Sequence, residues 1–258
     1  MLGKPVKKEI METDGPDCLI GKFSCHQDLT DGERSFLQDL QKDERSIEGG
    51  TEVIQQDETS DQLYVLKSGW AYAYKVLRNG QRQVLEFLLP GDFLGIREFA
   101  YNSALNYVVA CGDCTICPFP KERMEEIFVQ YPRLTGTLMQ MSTREQVVLM
   151  ERVVNLGSRD AHERMAHLFM ELYMRLSAVK LNDGLAFRFP VSQSVLADAL
   201  GLSKVHTNRT LKRLREEGLL TVSNGLATVQ NMNGLISAAQ FESFYLNDEN
   251  LRSYFGKK

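Results

Sequence analysis

No run of this 258-residue chain is apolar for long enough to cross a membrane. The opening stretch "MLGKPVKKEIMETDGPD" also lacks the apolar core of a secretory leader, so the sequence predicts a cytoplasmic protein. Cysteine is scarce: five thiols, an odd number with no paired spacing, argue against a disulfide framework. Histidine is scarcer, at His26, His162, His167 and His206, and none falls in the β-rich stretch described below. His162 and His167 are five apart, neither three nor four, so they make no helical ligand pair. A cupin-like ligand-binding or catalytic barrel, the alternative from a different class, needs His and carboxylate ligands pointing inward and is disfavoured. There is no Gly-rich phosphate loop and no nucleophile–base motif, so no enzyme is predicted. Positive charge is lacking too. The formal net charge is −4, which alone disfavours a nucleic-acid partner.

What is present changes that last inference. The composition, 43% hydrophobic and 25% charged, is that of an ordinary globular protein. Ser158 to Gln230 holds ten Lys and Arg against seven Asp and Glu, a net +3, which leaves −7 on the remainder. A basic C-terminal third on an acidic body predicts one local anionic partner.

Periodicity divides the chain. Residues 1–28 are polar and irregular and read as an N-terminal arm. "LTDGERSFLQDL" begins a sensor domain over 29–131, with Thr30 as N-cap of a short helix and Glu33 three residues on. The runs "LYVLKSGWAYAYKVL", "RQVLEFLLPGDFLG" and "NYVVACGDCTICPF" are short strands punctuated by turn residues. Strands spaced about ten residues apart predict a small antiparallel β-roll or jelly roll. Asn79-Gly80 predicts a two-residue hairpin. Trp70, Tyr72 and Tyr74 alternate, packing or lining the roll. A long helix with its hinge follows over 132–157. Met139, Ser142, Gln146, Leu149, Val153 and Leu156 alternate by threes and fours along it, predicting a coiled-coil seam with a second copy. Leu134, Leu138, Met141 and Val148 lie on a neighbouring face, toward the roll. Gly157 and Ser158 read as the hinge, and Asp160 as the cap of the next helix. A helical tail spans 233–258.

The basic third, 158–232, carries "FPVSQSVLADALGLSKVHTNRTLKRLREEGLL". Ser192 can cap a helix that buries Val195, Leu196, Ala199 and Leu200, and Gly201 ends it. Ala197, Gly201 and Leu202 suit the close crossing of a helix-turn-helix. A second helix starting at Ser203 places Thr207, Thr210, Leu211 and Leu214 on one face. Val205, Asn208, Arg209 and Lys212 lie opposite, flanked by Lys204, His206 and Arg213. "LLTVSNGLATVQ" then forms a wing turned at Asn224-Gly225. This α+β order, β-roll, long helix, winged helix-turn-helix, predicts binding of double-stranded DNA. Arg209 and Lys212 can meet phosphates or guanine edges, Asn208 an adenine, and Val205 a thymine methyl.

The segments "LYVLKSGWAYAY", "LLPGDFLGI" and "FPVSQSVLADALGLSKVHTNRTLKRLREEGLL", in this order, resemble the Crp/Fnr family of bacterial transcription regulators, from about Leu29 to Leu246. The resemblance implies a homodimer on a palindromic site, a partnership with RNA polymerase, and a signal sensed by the roll and passed to the DNA-reading helices. It also places a small-molecule effector near Gly95, Ile96, Arg97, Glu98 and Tyr107. The family's cyclic-nucleotide branch follows the "GDFLG"-like turn with Gly-Glu and later an Arg-Ser or Arg-Thr pair. Here Ile96 follows Gly95, and "SALNYVVA" has no arginine. A buried phosphate without its cation is costly, so cyclic AMP is not expected as effector or cofactor. Many members also carry Glu where this chain has Val205, while Arg209 matches the family arginine, so the half-site should differ.

"CGDCTIC" places Cys111, Cys114 and Cys117 at the spacing of some iron–sulfur proteins. Cys18 and Cys25 lie in the N-terminal segment, where iron–sulfur members keep ligands. An iron–sulfur or thiol redox sensor of the same family is therefore the alternative reading. Against it, alternation along a strand need not let three thiols converge, so no cluster or metal is expected.

Overall fold

Alternating apolar residues between 45 and 120 fold into two antiparallel sheets. The computed structural model describes residues 18–246. Strands β1 (Arg45–Ile47), β3 (Gln62–Ser68), β6 (Phe93–Leu94) and β8 (Cys114–Pro120) form one sheet, in the order β1-β8-β3-β6. Strands β2 (Glu52–Ile54), β4 (Ala71–Val76), β5 (Arg82–Leu88) and β7 (Tyr107–Ala110) form the other, in the order β2-β7-β4-β5. Leu66, Leu94 and Ile116 from the first sheet meet Ala71, Ala73, Leu88 and Val108 from the second in a dry core. Each sheet therefore spends alternate residues inward, as a β-roll requires.

The outward faces are also covered. Leu63, Val65, Phe93, Cys117 and Phe119 pack beneath helices α1 (Cys18–Ser24), α2 (Asp31–Asp39), α3 (Glu122–Gln130) and the first turns of α4 (Pro132–Ser158). Helix α1 corrects the expectation of an irregular arm for residues 18–28. Leu19 and Phe23 are fully buried and Ile20 nearly so. Burying three such side chains is worth about 1.5–3 kcal/mol each, which outweighs the polar flanks that suggested an arm. The remainder of the expected arm, 1–17, and the tail beyond 246 lie outside the described residues. Thr30 caps α2 in a full capping box with Glu33, as read from the sequence.

Trp70, Tyr72, Tyr74, Val84, Phe87 and Val109 face outward from the second sheet rather than into the roll. They join the core of the C-terminal domain, where Trp70 meets Phe189 edge-on at 5.9 Å. The β4–β5 connection is not the expected two-residue turn. Only Gly80 of Asn79-Gly80 has positive φ, and Leu77 donates to the carbonyl of Gln81 across a longer loop.

Helix α4 runs unbroken through Gly157, so the chain turns at Arg159, not at the expected hinge. Leu134, Leu138, Met141 and Val148 are buried, as read. The exposed stripe differs from the expected seam. Met139, Thr143, Gln146, Met150, Val153 and Gly157 are all exposed and spaced four-three-four-three-four. Leu149 and Leu156, expected in the seam, are half-buried against the body of the chain. The sequence period alone cannot choose between two registers sharing Met139, Gln146 and Val153.

Asp160 caps α5 (Ala161–Ala178), again in a capping box, with Glu163. Behind α5 lie β9 (Asn182–Asp183), β10 (Ala186–Arg188), α6 (Gln193–Leu200), α7 (Lys204–Glu216), β11 (Leu220–Ser223), β12 (Leu226–Val229) and α8 (Met232–Ala239). The wing is a four-stranded sheet, β11-β12-β10-β9, rather than one hairpin. Its tip is the predicted Asn224-Gly225 turn, both residues at positive φ. Helix α8 begins the helical tail, followed by a 3-10 turn at Ser243–Leu246. No helix among the described residues is long and apolar enough to cross a membrane.

Candidate nucleic-acid interface and sensor pocket

Two serines position the DNA-reading unit. Ser192 accepts from the Val195 amide to start α6, and Ser203 accepts from the His206 amide to start α7. Gly201, at φ 62°, supplies the left-handed residue that turns one helix into the other. A Cβ there would make only ordinary contacts, 3.7 Å from Leu156 and Arg164, so backbone conformation and not crowding demands glycine. Arg164 of α5 donates to the carbonyl of Leu200 at 2.7 Å and tethers the end of α6.

Helix α7 has the two faces read from its sequence. Thr207, Thr210 and Leu214 are buried, and Leu211 half so. The two threonine hydroxyls donate to the carbonyls of Ser203 and His206, so their burial leaves no unmet donor. On the other side Lys204, Val205, Asn208, Arg209 and Lys212 are exposed, Val205 at 78%. His206 is half-buried. Lys204 and Arg209 have no ion-pair partner among the described residues, whereas Lys212 lies 3.5 Å from Glu216.

Arg213 is exposed like the rest of the expected DNA-facing set, but it is already paired. Its Nε donates to Glu217 at 2.8 Å, and Glu217 also meets His162 of α5 at 2.7 Å. The hydrogen bond from Arg213 is the main cause holding the Glu217 carboxyl below its usual range. Glu217 thus links the end of α7 to α5 and engages Arg213 on the way. The sequence reading missed Arg215, which shares a groove with Gln193, Asn208, Lys212 and Val222. Its spacing of three from Lys212 and seven from Asn208 was the available signal.

Contacts between domains were not legible in the sequence. Arg82 of β5 donates to Asp198 of α6 at 2.7 Å and 3.1 Å, and Gln83 donates to the Asp198 carbonyl at 2.9 Å. The roll thereby holds the first helix of the DNA-reading pair.

The expected effector pocket is small and self-filled. Gly95, Ile96, Arg97 and Glu98 border a cavity of about 20 Å³, room for little more than a water. Arg97 crosses it, bridged to Glu86 and lying 3.5 Å from Glu145 on α4. Glu98 is buried, with Asn106 donating to it at 3.5 Å. Tyr107 does not join them. Strand alternation turns it to the opposite face from Val108, where it stacks on Tyr74 at 5.0 Å.

Residues 44–131 match the cyclic nucleotide-binding domain family, and residues 163–238 the Crp-like helix-turn-helix domain family. The nitrogen fixation regulation protein FixK of Bradyrhizobium diazoefficiens is 30% identical over 178 residues, covering 68% of this chain and 73% of that one.

The chain belongs to the Crp/Fnr family.

Its similarity to the transcriptional activator protein FnrA of Stutzerimonas stutzeri is 25% over 223 residues, covering 86% of this chain and 91% of that one. The structure of FixK2 from Bradyrhizobium japonicum superposes with a TM-score of 0.67 at 25% identity, covering 76% of this chain and 96% of that one. This Crp/Fnr protein is a DNA-binding transcription regulator.

Neither a cyclic phosphate nor an iron–sulfur cluster fits these residues well. Against the phosphate, three carboxylates, Glu86, Glu98 and Glu145, crowd one arginine, and Ser103–Ala110 offers no second cation. An iron–sulfur cluster has no converging thiols among the described residues. Cys18 and Cys117 share the core under α1, Cys114 lies between the sheets, and Cys111 faces the C-terminal domain. Cys25 donates to the Ala178 carbonyl on α5. Burial pushes Cys18, Cys114 and Cys117 up to about 11 and Cys111 to about 12, so these are protonated, apolar-packed thiols.

Proposed function

We propose that this Crp/Fnr regulator acts in the cytoplasm as a homodimer, reading palindromic duplex DNA with one α7 per half-site and working with RNA polymerase. The carrying observation is the outer face of α7, where Lys204, Val205, Asn208, Arg209 and Lys212 stand exposed over a buried threonine–leucine face. Arg209 and Asn208 read base edges, Val205 meets a thymine methyl, and Lys204 and Lys212 meet phosphates. Ser192 and Ser203, at exposed helix starts, bring backbone amides to the DNA backbone. His206 lies beside them, and Arg213 serves α7 indirectly through Glu217.

The exposed four-three stripe on α4 supports dimerisation. Met139 at 67%, Met150 at 67% and Val153 at 72% are large apolar side chains left in water by a single chain. The signal comes through the roll and is not cyclic AMP, a reading supported by the self-filled pocket around Arg97. Selection of binding sites from random duplexes tests the whole reading. A two-fold symmetric motif is the expected result, and no sequence enrichment over background rejects it.

A further inference from the structure

A second, partly open cavity of about 70 Å³ lies where α1, the β5–β6 turn, α4 and α5 meet. Asp92, 2% exposed, is shared by Lys22 of α1 and Arg175 of α5, the latter at 3.2 Å. Arg175 also lies 3.4 Å from Glu171, to which Arg152 of α4 donates at 2.7 Å. Three cations are thus strung on two buried carboxylates, and Lys22, Asp92, Arg152 and Arg175 of this chain of charges line the cavity. Burial pushes the Lys22 ammonium down to about 8, against the opposing pull of Glu145. The opposite wall is apolar, with Leu89, Met141, Val148 and Met174. At the far rim Glu86 and Glu145 are engaged by Arg97.

A buried site with more cations than carboxylates at one end favours an anion there, and an apolar wall favours an aliphatic body. We infer that this cavity binds a small organic carboxylate, its headgroup on Lys22 and Arg175 and its short chain along Met141, Val148 and Met174. The four elements it would join include the long helix and the first helix of the DNA-binding domain. A ligand bridging them binds best in the arrangement that brings them together, and so sets the position of α7. This consequence, unlike the site itself, rests on the proposed regulator function.

Calorimetry on the full chain tests it with hexanoate, inorganic phosphate and hexylammonium. Hexanoate should bind one per chain with a Kd below about 1 mM, and phosphate at least about tenfold more weakly. Lys22→Met and Arg175→Met should each cost hexanoate about tenfold, while Lys22→Arg keeps it. Should the methionine variants fail to fold, wild type and Lys22→Arg still decide. No heat from hexanoate up to about 10 mM overturns the site. So does phosphate binding as tightly, or preference for hexylammonium. Anisotropy with a selected duplex separates the two readings. Hexanoate should shift wild-type DNA affinity, and Arg209→Ala should lose DNA but keep hexanoate. DNA binding without hexanoate binding overturns the site alone, and hexanoate binding without DNA binding overturns the regulator reading alone.

Discussion

Replacing Arg209 with Ala should relax base preference, and replacing Lys212 with Ala should not. Arg209 stands in the middle of α7, exposed and without an ion-pair partner among the described residues, so its guanidinium is available to a base edge. Losing one bidentate base contact costs about 1–3 kcal/mol per half-site. A symmetric dimer loses it twice, about 2–6 kcal/mol, which is roughly 30-fold to 20,000-fold in affinity. Lys212 is 3.5 Å from Glu216, with both side chains more than half exposed. Such a pair is worth under about 0.5 kcal/mol, so the lysine moves to a phosphate at little cost. Lys212→Ala should then weaken all sequences alike and lower the salt slope by about 0.9 per protomer, near 2 for the dimer. Arg213→Ala should disturb DNA binding less than Lys212→Ala, because Glu217, itself held by His162, already engages Arg213. Val205→Glu restores an acceptor and should shift selection toward a cytosine-containing half-site. The assay is anisotropy at two salt concentrations with site selection for each variant. An unchanged motif in Arg209→Ala together with an altered one in Lys212→Ala would mean that α7 enters the groove in a different rotation, and the assignment would fail.

Met150→Glu with Val153→Glu places two carboxylates per protomer in the exposed stripe of α4 and should dissociate the dimer, read by sedimentation; a double variant that remains dimeric puts the interface elsewhere. Cyclic AMP should give no heat at micromolar concentration, and a stoichiometric isotherm that also raises DNA affinity would reverse this. Burial pushes His167 down to about 4, with the charge of Arg159 adding to it. The folded state thus resists a proton that the unfolded chain accepts below about pH 6.5, so stability is intact above that and falls as pH drops toward 4, by at most about 3 kcal/mol. His167→Gln should flatten that part of the pH profile of the unfolding midpoint, and an unchanged slope would show that another group titrates there.

The sequence by itself determined the local devices. Thr30, Asp160, Ser192 and Ser203 cap the helices that their short polar side chains announced, because capping needs only a neighbour three residues away. The Asn224-Gly225 wing and the left-handed Gly201 were legible for the same reason. So were the two faces of α7, since helical period fixes which residues share a side. Tertiary structure decided what depends on distant partners. Helix α1 forms because Leu19, Ile20 and Phe23 find a sheet to cover, which polar flanks concealed. The apolar stripe of α4 shifted by one position at alternate turns, because Leu149 and Leu156 are drawn inward by the C-terminal domain. "CGDCTIC" looked like one site and became three separate packings, since strand and turn direct each thiol to a different core. Arg97 filled the pocket expected for an effector, while Lys22, Asp92, Arg152, Glu171 and Arg175, up to 153 positions apart in sequence, met around another. Charge pairing at that range leaves no periodic trace, because it is set by how whole elements pack and not by spacing along the chain.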